Sequence, residues 1–259
     1  MKVAILVLLI TGAVFGQTSP SFEVASVKPS GPNSRGNTYS FNHAGVSIEN
    51  GTLKGLIEMA YDVREFQIVG GPGWMETDHY YVTAKLTPED EKSLPANEPE
   101  RTKQMRLRLQ VVLAERFQLQ IHRETREQQE YSLVVGKKGS KMREGNASLP
   151  QFGINSNCGV MKGTRARMAT LCVVLSRQLQ HPVLDHTNLA GMYDFEMTFA
   201  PENGCGSGQP DSRTPPAEAS PDLPSIFTAI QEQLGLKLES IRGPTEVIVI
   251  DHVGKPDPN

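Results

Sequence analysis

Three histidines of this chain stand close to acidic residues: His122 in Ile121-His122-Arg123-Glu124, His186 after Asp185, and His252 after Asp251. Imidazole and carboxylate are the side chains that bind zinc or move protons near neutral pH. A zinc site needs three or four ligands converging at short range, and the sequence contains no HExxH motif and no HxH pair. No metal site and no cofactor is therefore assigned. The three pairs are read as strand-end or surface histidines held by a neighbouring carboxylate. Asp185 and Asp194 are a second candidate, because two carboxylates ~5–10 Å apart can act as acid and base in glycoside hydrolysis. Both flank a turn, where an aspartate more often accepts from backbone amides. No GxSxG elbow surrounds Ser176, and Gly70-Gly71-Pro72-Gly73 carries a proline where a phosphate loop needs amide donors. No catalytic residue is assigned.

Trp74 is the only tryptophan, and Asp78 and Tyr80 follow it closely. An aromatic at a loop–strand junction is a pattern of recognition anchors, so Trp74, Asp78 and Tyr80 are the candidate binding residues. The competing role for Trp74 is packing, with the indole folded over the end of a sheet. Lys162, Arg165 and Arg167 form the densest basic cluster of the second half and are read as a solvated loop. The formal net charge of −3 offers no electrostatic footprint for nucleic acid. The three cysteines, Cys158, Cys172 and Cys205, match no metal framework. Cys172 occupies an apolar helix position and is expected to be a buried small hydrophobe. Cys158 and Cys205 lie in loop-like, Gly-rich surroundings where a disulfide could join them.

The elements that must position these residues show a repeat. Leu53, Leu109, Met168 and Ile226 each anchor an amphipathic helix with apolar residues three and four positions on: Leu56 and Ile57, Val112 and Leu113, Leu171 and Cys172, Ala229 and Ile230. Two short strand-like runs follow each helix, split by a turn. The turns are placed at residues 70–73, 125–128, 188–191 and 242–244. A fainter likeness between SFNHAGVSIENGTLKGLI and GINSNCGVMKGTRARMATL adds a second level of duplication. The fold class expected is α+β: two related halves, each an antiparallel sheet with two helices on one face, built from four helix–strand–strand repeats.

The N-terminus reads as an export signal over residues 1–16, with Lys2 ahead of an apolar run over 3–15 and Val14-Phe15-Gly16 as a small-residue cleavage site. That run is short of the ~20 residues a spanning helix needs. Residues 17–145 are assigned to the first half and 146–259 to the second. A Gly-, Pro- and Ser-rich insertion over 202–224 adds little to a core.

Five segments carry a family resemblance: FEVASVKPS, TLKGLIEMAYDVREFQIVGGPGWMETDHYYVTAK, LAERFQLQIHRETREQQEYSLVV, PVLDHTNLAGMYDFEMTF and SIFTAIQEQLGLKLESIRGPTEVIVIDHVGKP. In this order they resemble a family of exported proteins found in many copies in acidobacteria and related soil bacteria. The same domain is also seen behind membrane metallopeptidases of the antibiotic-sensor type. The resemblance implies a periplasmic or extracellular location and brings no catalytic residues with it. The function expected is a non-catalytic binding or protein-interaction module for a protein or peptide, with envelope glycan as a further candidate ligand. A carboxylate hydrolase of envelope or glycan material is the first alternative, and a sensory domain related to signalling peptidases the second. No nucleic-acid partner and no membrane span after signal cleavage is expected.

Overall fold

The computed structural model describes residues 20–31, 36–145, 152–157, 159–200 and 223–257. The export signal, Cys158, Cys205 and nearly all of the 202–224 insertion lie outside these residues.

Strand β1 (Val24–Pro29) is followed by the hairpin of β2 (Thr38–Asn42) and β3 (Gly45–Thr52), which pairs Tyr39 with Ile48 and Phe41 with Val46. Helix α1 (Leu53–Tyr61) starts where the Thr52 hydroxyl accepts from Gly55 N at 3.2 Å, and stops at Asp62 in the left-handed region (φ 56°). It buries Leu53, Leu56, Ile57 and Ala60, the apolar stripe read from spacing. Strand β4 (Ile68–Val69), the one-turn helix α2 (Trp74–Thr77) and strand β5 (His79–Lys85) come next. In β5, Tyr80, Val82 and Ala84 point inward while the residues between them face solvent. Short helix α3 (Pro88–Ser93) interrupts the charged connection, capped by Thr87. Helix α4 (Glu98–Arg116) has a proline in its first turn and buries Met105, Leu109, Val112 and Leu113. Strand β6 (Gln120–Val135) then leads away from this first core.

Beyond β7 (Arg143–Glu144), strands β8 (Gly153–Asn157) and β9 (Val160–Ala166) lead into helix α5 (Met168–Leu179). Strands β10 (Val183–Asp185) and β11 (Tyr193–Thr198) follow. Helix α6 (Ile226–Ala229) is capped by the Ser225 hydroxyl and widens into a π turn that Gly235 ends at φ 69°. The last strand is β12 (Leu236–His252).

The described strands form three four-stranded sheets: β1-β5-β3-β2, β7-β11-β9-β8, and β10-β6-β12-β4. The first two are antiparallel throughout. The third is mixed, because β10 runs parallel to β6 and β4 parallel to β12. Two apolar cores result. The first gathers α1, α4 and the first sheet, the second α5, α6 and the second sheet. No helix among the described residues is long and apolar enough to cross a membrane.

The fold is α+β, and the repeat reading needs correction in the strand pairs of all four units. The turns placed at residues 125–128 and 242–244 are strand interior. β6 and β12 run straight through them and pair with each other from Gln120↔His252 to Val135↔Leu236. Likewise β4 and β5 do not form a hairpin, and neither do β10 and β11, since each of these strands pairs elsewhere. Arg242-Gly243-Pro244 carries strong turn chemistry, but tertiary pairing overrides it. Gly243 has a packing reason to be glycine: a Cβ there would collide with the Glu130 carboxylate, which accepts from the buried Thr245 hydroxyl at 2.8 Å.

Gly243 lies outside the positive-φ region, and the atoms nearest to an added Cβ all belong to the Glu130 carboxylate. Gly243→Ala should destabilise the chain by about 1–3 kcal/mol in urea denaturation, as overpacking does. In a Glu130→Ala background the penalty should vanish. A gain of about 0.4–1 kcal/mol in the unmodified background, the usual effect of replacing a compatible glycine, would refute this packing.

Candidate functional site

Where β3 and β5 pair, the register jumps from Ile48↔Val82 to Gly51↔Tyr80, which inserts one extra residue on β3. Asn50 takes the strain of this bulge at φ 53°, a left-handed conformation that asparagine tolerates, and its amide donates to Gly36 O at 2.8 Å. The bulge opens one end of the first sheet into a cleft of about 700 Å³, lined by Pro29, Ser30, Asn50, Asp78, His79, Tyr80 and Lys255 among others.

Each wall has a structural cause. Ser30 leaves the end of β1 with its N–H donating to His79 O at 2.7 Å, and its hydroxyl is buried without a hydrogen-bond partner among the described residues. Buried hydroxyls are normally satisfied, so this one is an exception within the cleft wall. Tyr80 is 3% exposed and packs edge-on against Phe117, ring centroids 5.2 Å apart. Burial, and secondarily the Asp78 charge, push its hydroxyl pKa up, so it stays protonated and able to donate. His79 Nδ1 lies 3.0 Å from Thr77 O. A carbonyl only accepts, so in the neutral ring the proton sits on Nδ1 and Nε2 is the acceptor.

The rim is closed by the chain's end. After β12, Gly254 N donates to Phe117 O at 2.7 Å, which anchors residues 253–257 across the first core. Lys255 Nζ thereby reaches Asp78 Oδ2 at 2.6 Å and sits 5.5 Å above the Trp74 ring. The ammonium is thus held by a carboxylate and an aromatic face together. Trp74 itself is half-buried, starts α2 and packs against the first core. The packing expected for Trp74 is therefore present. Asp78 and Tyr80 line the cleft, and Trp74 stands under its lysine.

The other sequence candidates are engaged separately. Asp185 Oδ1 accepts from Thr187 N at 3.0 Å and from its hydroxyl at 2.7 Å. Asp194 Oδ1 accepts from Arg165 N at 2.7 Å. Each fixes its own stretch of backbone, in different sheets, which removes the basis for a paired acid and base. His122 Nδ1 lies 2.8 Å from Asp251, Ser132 Oγ 2.7 Å from His186 Nδ1, and His252 near Gln118 at 3.5 Å. Among the described residues no three histidine, cysteine, aspartate or glutamate side chains are placed to hold a metal ion.

Sequence reasoning missed Ser30, Asn50 and Lys255. Asn50-Gly51 ahead of a helix is a local signal for a left-handed position. Nothing local marks Lys255, which reaches the cleft only because β12 ends beside the first core.

Fold and cleft together define an α+β protein with two antiparallel outer sheets, a mixed central sheet and a polar, open cleft. The chain belongs to the family described as Protein of unknown function (DUF3738), whose model matches residues 54–253. No curated protein and no solved structure matches it.

Because Trp74 is the sole tryptophan, its emission reports on the rim directly. Lys255→Met should change Trp74 emission and raise its quenching by acrylamide, with unfolding free energy altered by less than about 1 kcal/mol, as for other exposed ion pairs. Unchanged emission and quenching would mean that the Lys255 contact does not form in solution.

Proposed function

We propose that this chain is an exported, non-catalytic binding module that captures a peptide or protein in the periplasm or outside the cell. The observation that carries this reading is the Trp74–Lys255–Asp78 group at the rim of an open cleft. In one place it brings together an aromatic face, a cation and an anion. Such groups match the backbone and charged ends of a peptide better than they match a reaction. Edge strands β1 and β2 of the same sheet offer further main-chain donors and acceptors. Export is supported by Lys2 and the apolar run behind it.

The same reading treats the chain as two related halves that share the central sheet, with residues 17–145 and 146–259 as their sequence spans. Support comes from register. The bulge between Ile48 and Gly51, opposite Val82 and Tyr80, has a counterpart between Gly163 and Ala166, opposite Phe195 and Tyr193. Asn50 and Arg165, both at positive φ, each stand three residues before a helix. The outer sheets also order their strands alike, β1-β5-β3-β2 against β7-β11-β9-β8.

A photo-crosslinking residue placed at Asp78 in the native envelope tests the binding role, with the same residue at exposed Glu91 of α3 as control. The expected result is a discrete adduct from position 78 that Trp74→Ala abolishes while the thermal midpoint stays within a few degrees. Identical adducts from both positions, or adducts indifferent to Trp74, would contradict it.

A further inference from the structure

The central sheet has two long strand edges with no neighbouring strand among the described residues. β10 covers β6 only from Tyr131 to Leu133, and β4 covers β12 only at Ile248 and Val249. Between those ends β6 and β12 pair with each other alone. Main-chain groups left on such an edge take a further strand unless something blunts them. The two edges differ in this respect. Tyr131 N donates to Pro182 O, and Leu133 O accepts from His186 N, so odd-numbered residues of β6 turn their main-chain groups toward β10. By strand alternation Ile121, Arg123, Thr125, Glu127 and Gln129 turn theirs the same way, into the free edge. Their partners on β12 face the opposite edge, where Pro244 has no N–H to offer and Gln67 Nε2 donates to Glu246 O at 3.0 Å. The β12 edge is therefore blunted. The β6 edge holds no proline from Ile121 to Gln129, and His122, Arg123, Thr125, Arg126, Glu127 and Gln129 are exposed.

The charges on this edge complement themselves. Arg123-Glu124-Thr125-Arg126-Glu127, laid antiparallel on a second copy with Thr125 opposite Thr125, sets Arg123 opposite Glu127 on one face and Glu124 opposite Arg126 on the other. Opposite charges in directly opposed positions stabilise a strand pair, and like charges destabilise it. Sliding by two residues sets Arg126 against Arg126 or Glu124 against Glu124. Sliding by four sets Glu127 against Glu127 or Arg123 against Arg123. Odd slides put the main-chain groups out of step. One register therefore satisfies both backbone and charge. Within the chain Arg123 already holds Glu246 and Arg126 holds Glu124, both in exposed pairs. An added strand extends these pairs into networks, because a guanidinium carries five N–H donors.

We propose that two copies of this chain pair through the free edge of β6, antiparallel about a two-fold axis at Thr125, so that their central sheets become one continuous sheet. The contact is isologous: Thr125 N–H donates to Thr125 O of the second copy and the reverse, while Arg123 and Glu127 exchange both of their main-chain bonds. This goes beyond the binding-module reading and uses none of the residues of the first cleft.

Sedimentation equilibrium of the chain without residues 1–16 should show monomer and dimer in exchange. Glu127→Arg should raise the dissociation constant at least about tenfold, because symmetry places the new repulsion on both sides of the axis. Arg123→Glu should do the same. Mixing these two variants should restore the dimer, since Glu at 123 then meets Arg at 127 and Arg at 123 meets Glu at 127. The double variant should restore it alone, which a merely structural effect of either change would not do. Amide exchange followed by NMR on dilution should lose protection at Arg123, Thr125 and Glu127, while Glu124 and Arg126, bonded to β12 in either state, stay unchanged. Trp74→Ala should leave the dimer intact, which separates failure of this edge from failure of the first cleft. The proposal is overturned by a chain that stays monomeric up to about millimolar concentration. A dimer indifferent to both reversals, or a mixture of the two variants that does not associate, would overturn it as well.

Discussion

The antiparallel pairing of β6 with β12 is the constraint on which the rest of the structure depends. The two strands pair along almost their whole lengths, and each belongs to both cores. β6 begins beside the first core at Ile121 and ends in the second at Leu133. β12 starts in the second core at Leu236 and finishes against the first at Ile250. The short strands β4 and β10 dock only on the far ends of this pair. Between the cores the pair is polar, with Arg123 bound to Glu246, Arg126 to Glu124, and Glu130 to Thr245. Hydrogen bonding along the ladder, more than apolar burial, therefore spans the waist.

The same constraint delivers the first cleft. Lys255 follows β12 by three residues, so the cation at the rim arrives on a strand that originates in the other core. Asp78, Tyr80 and Trp74 come from β5 and α2 of the first core. The site is thus assembled from residues 177 positions apart, joined by an ion pair that exists only if β12 is in register.

Much of the local structure was legible. The helix stripes at Leu53, Leu56 and Ile57, or at Met168, Leu171 and Cys172, are buried because spacing at three and four residues faces one side of a helix. The caps at Ser225 and Gly235 use the residue types those positions favour. The central sheet was not legible, because Gly243 and Pro244 form the strongest turn signal in that region and only a 16-residue partner strand keeps them extended. In the site, Asp78 and Tyr80 could be found from their nearness to the lone tryptophan. Ser30 and Lys255 could not, since their roles come from long-range register that no local pattern encodes.

The central claim, that the β6–β12 pair joins both cores and the first cleft into one cooperative unit, has a reporter on each side. Trp74 packs on the first core, and Cys172 is buried in the second, with its thiol pushed up to about 12 by burial and then by the Asp185 charge. A thiol so protected reacts only when its core opens. In a chain with Cys158→Ser and Cys205→Ser, Trp74 fluorescence and Cys172 alkylation should be followed across one urea series. The account predicts coincident midpoints for the two probes, as a single two-state transition requires. Two separated midpoints, with one core opening while the other stays intact, would contradict it.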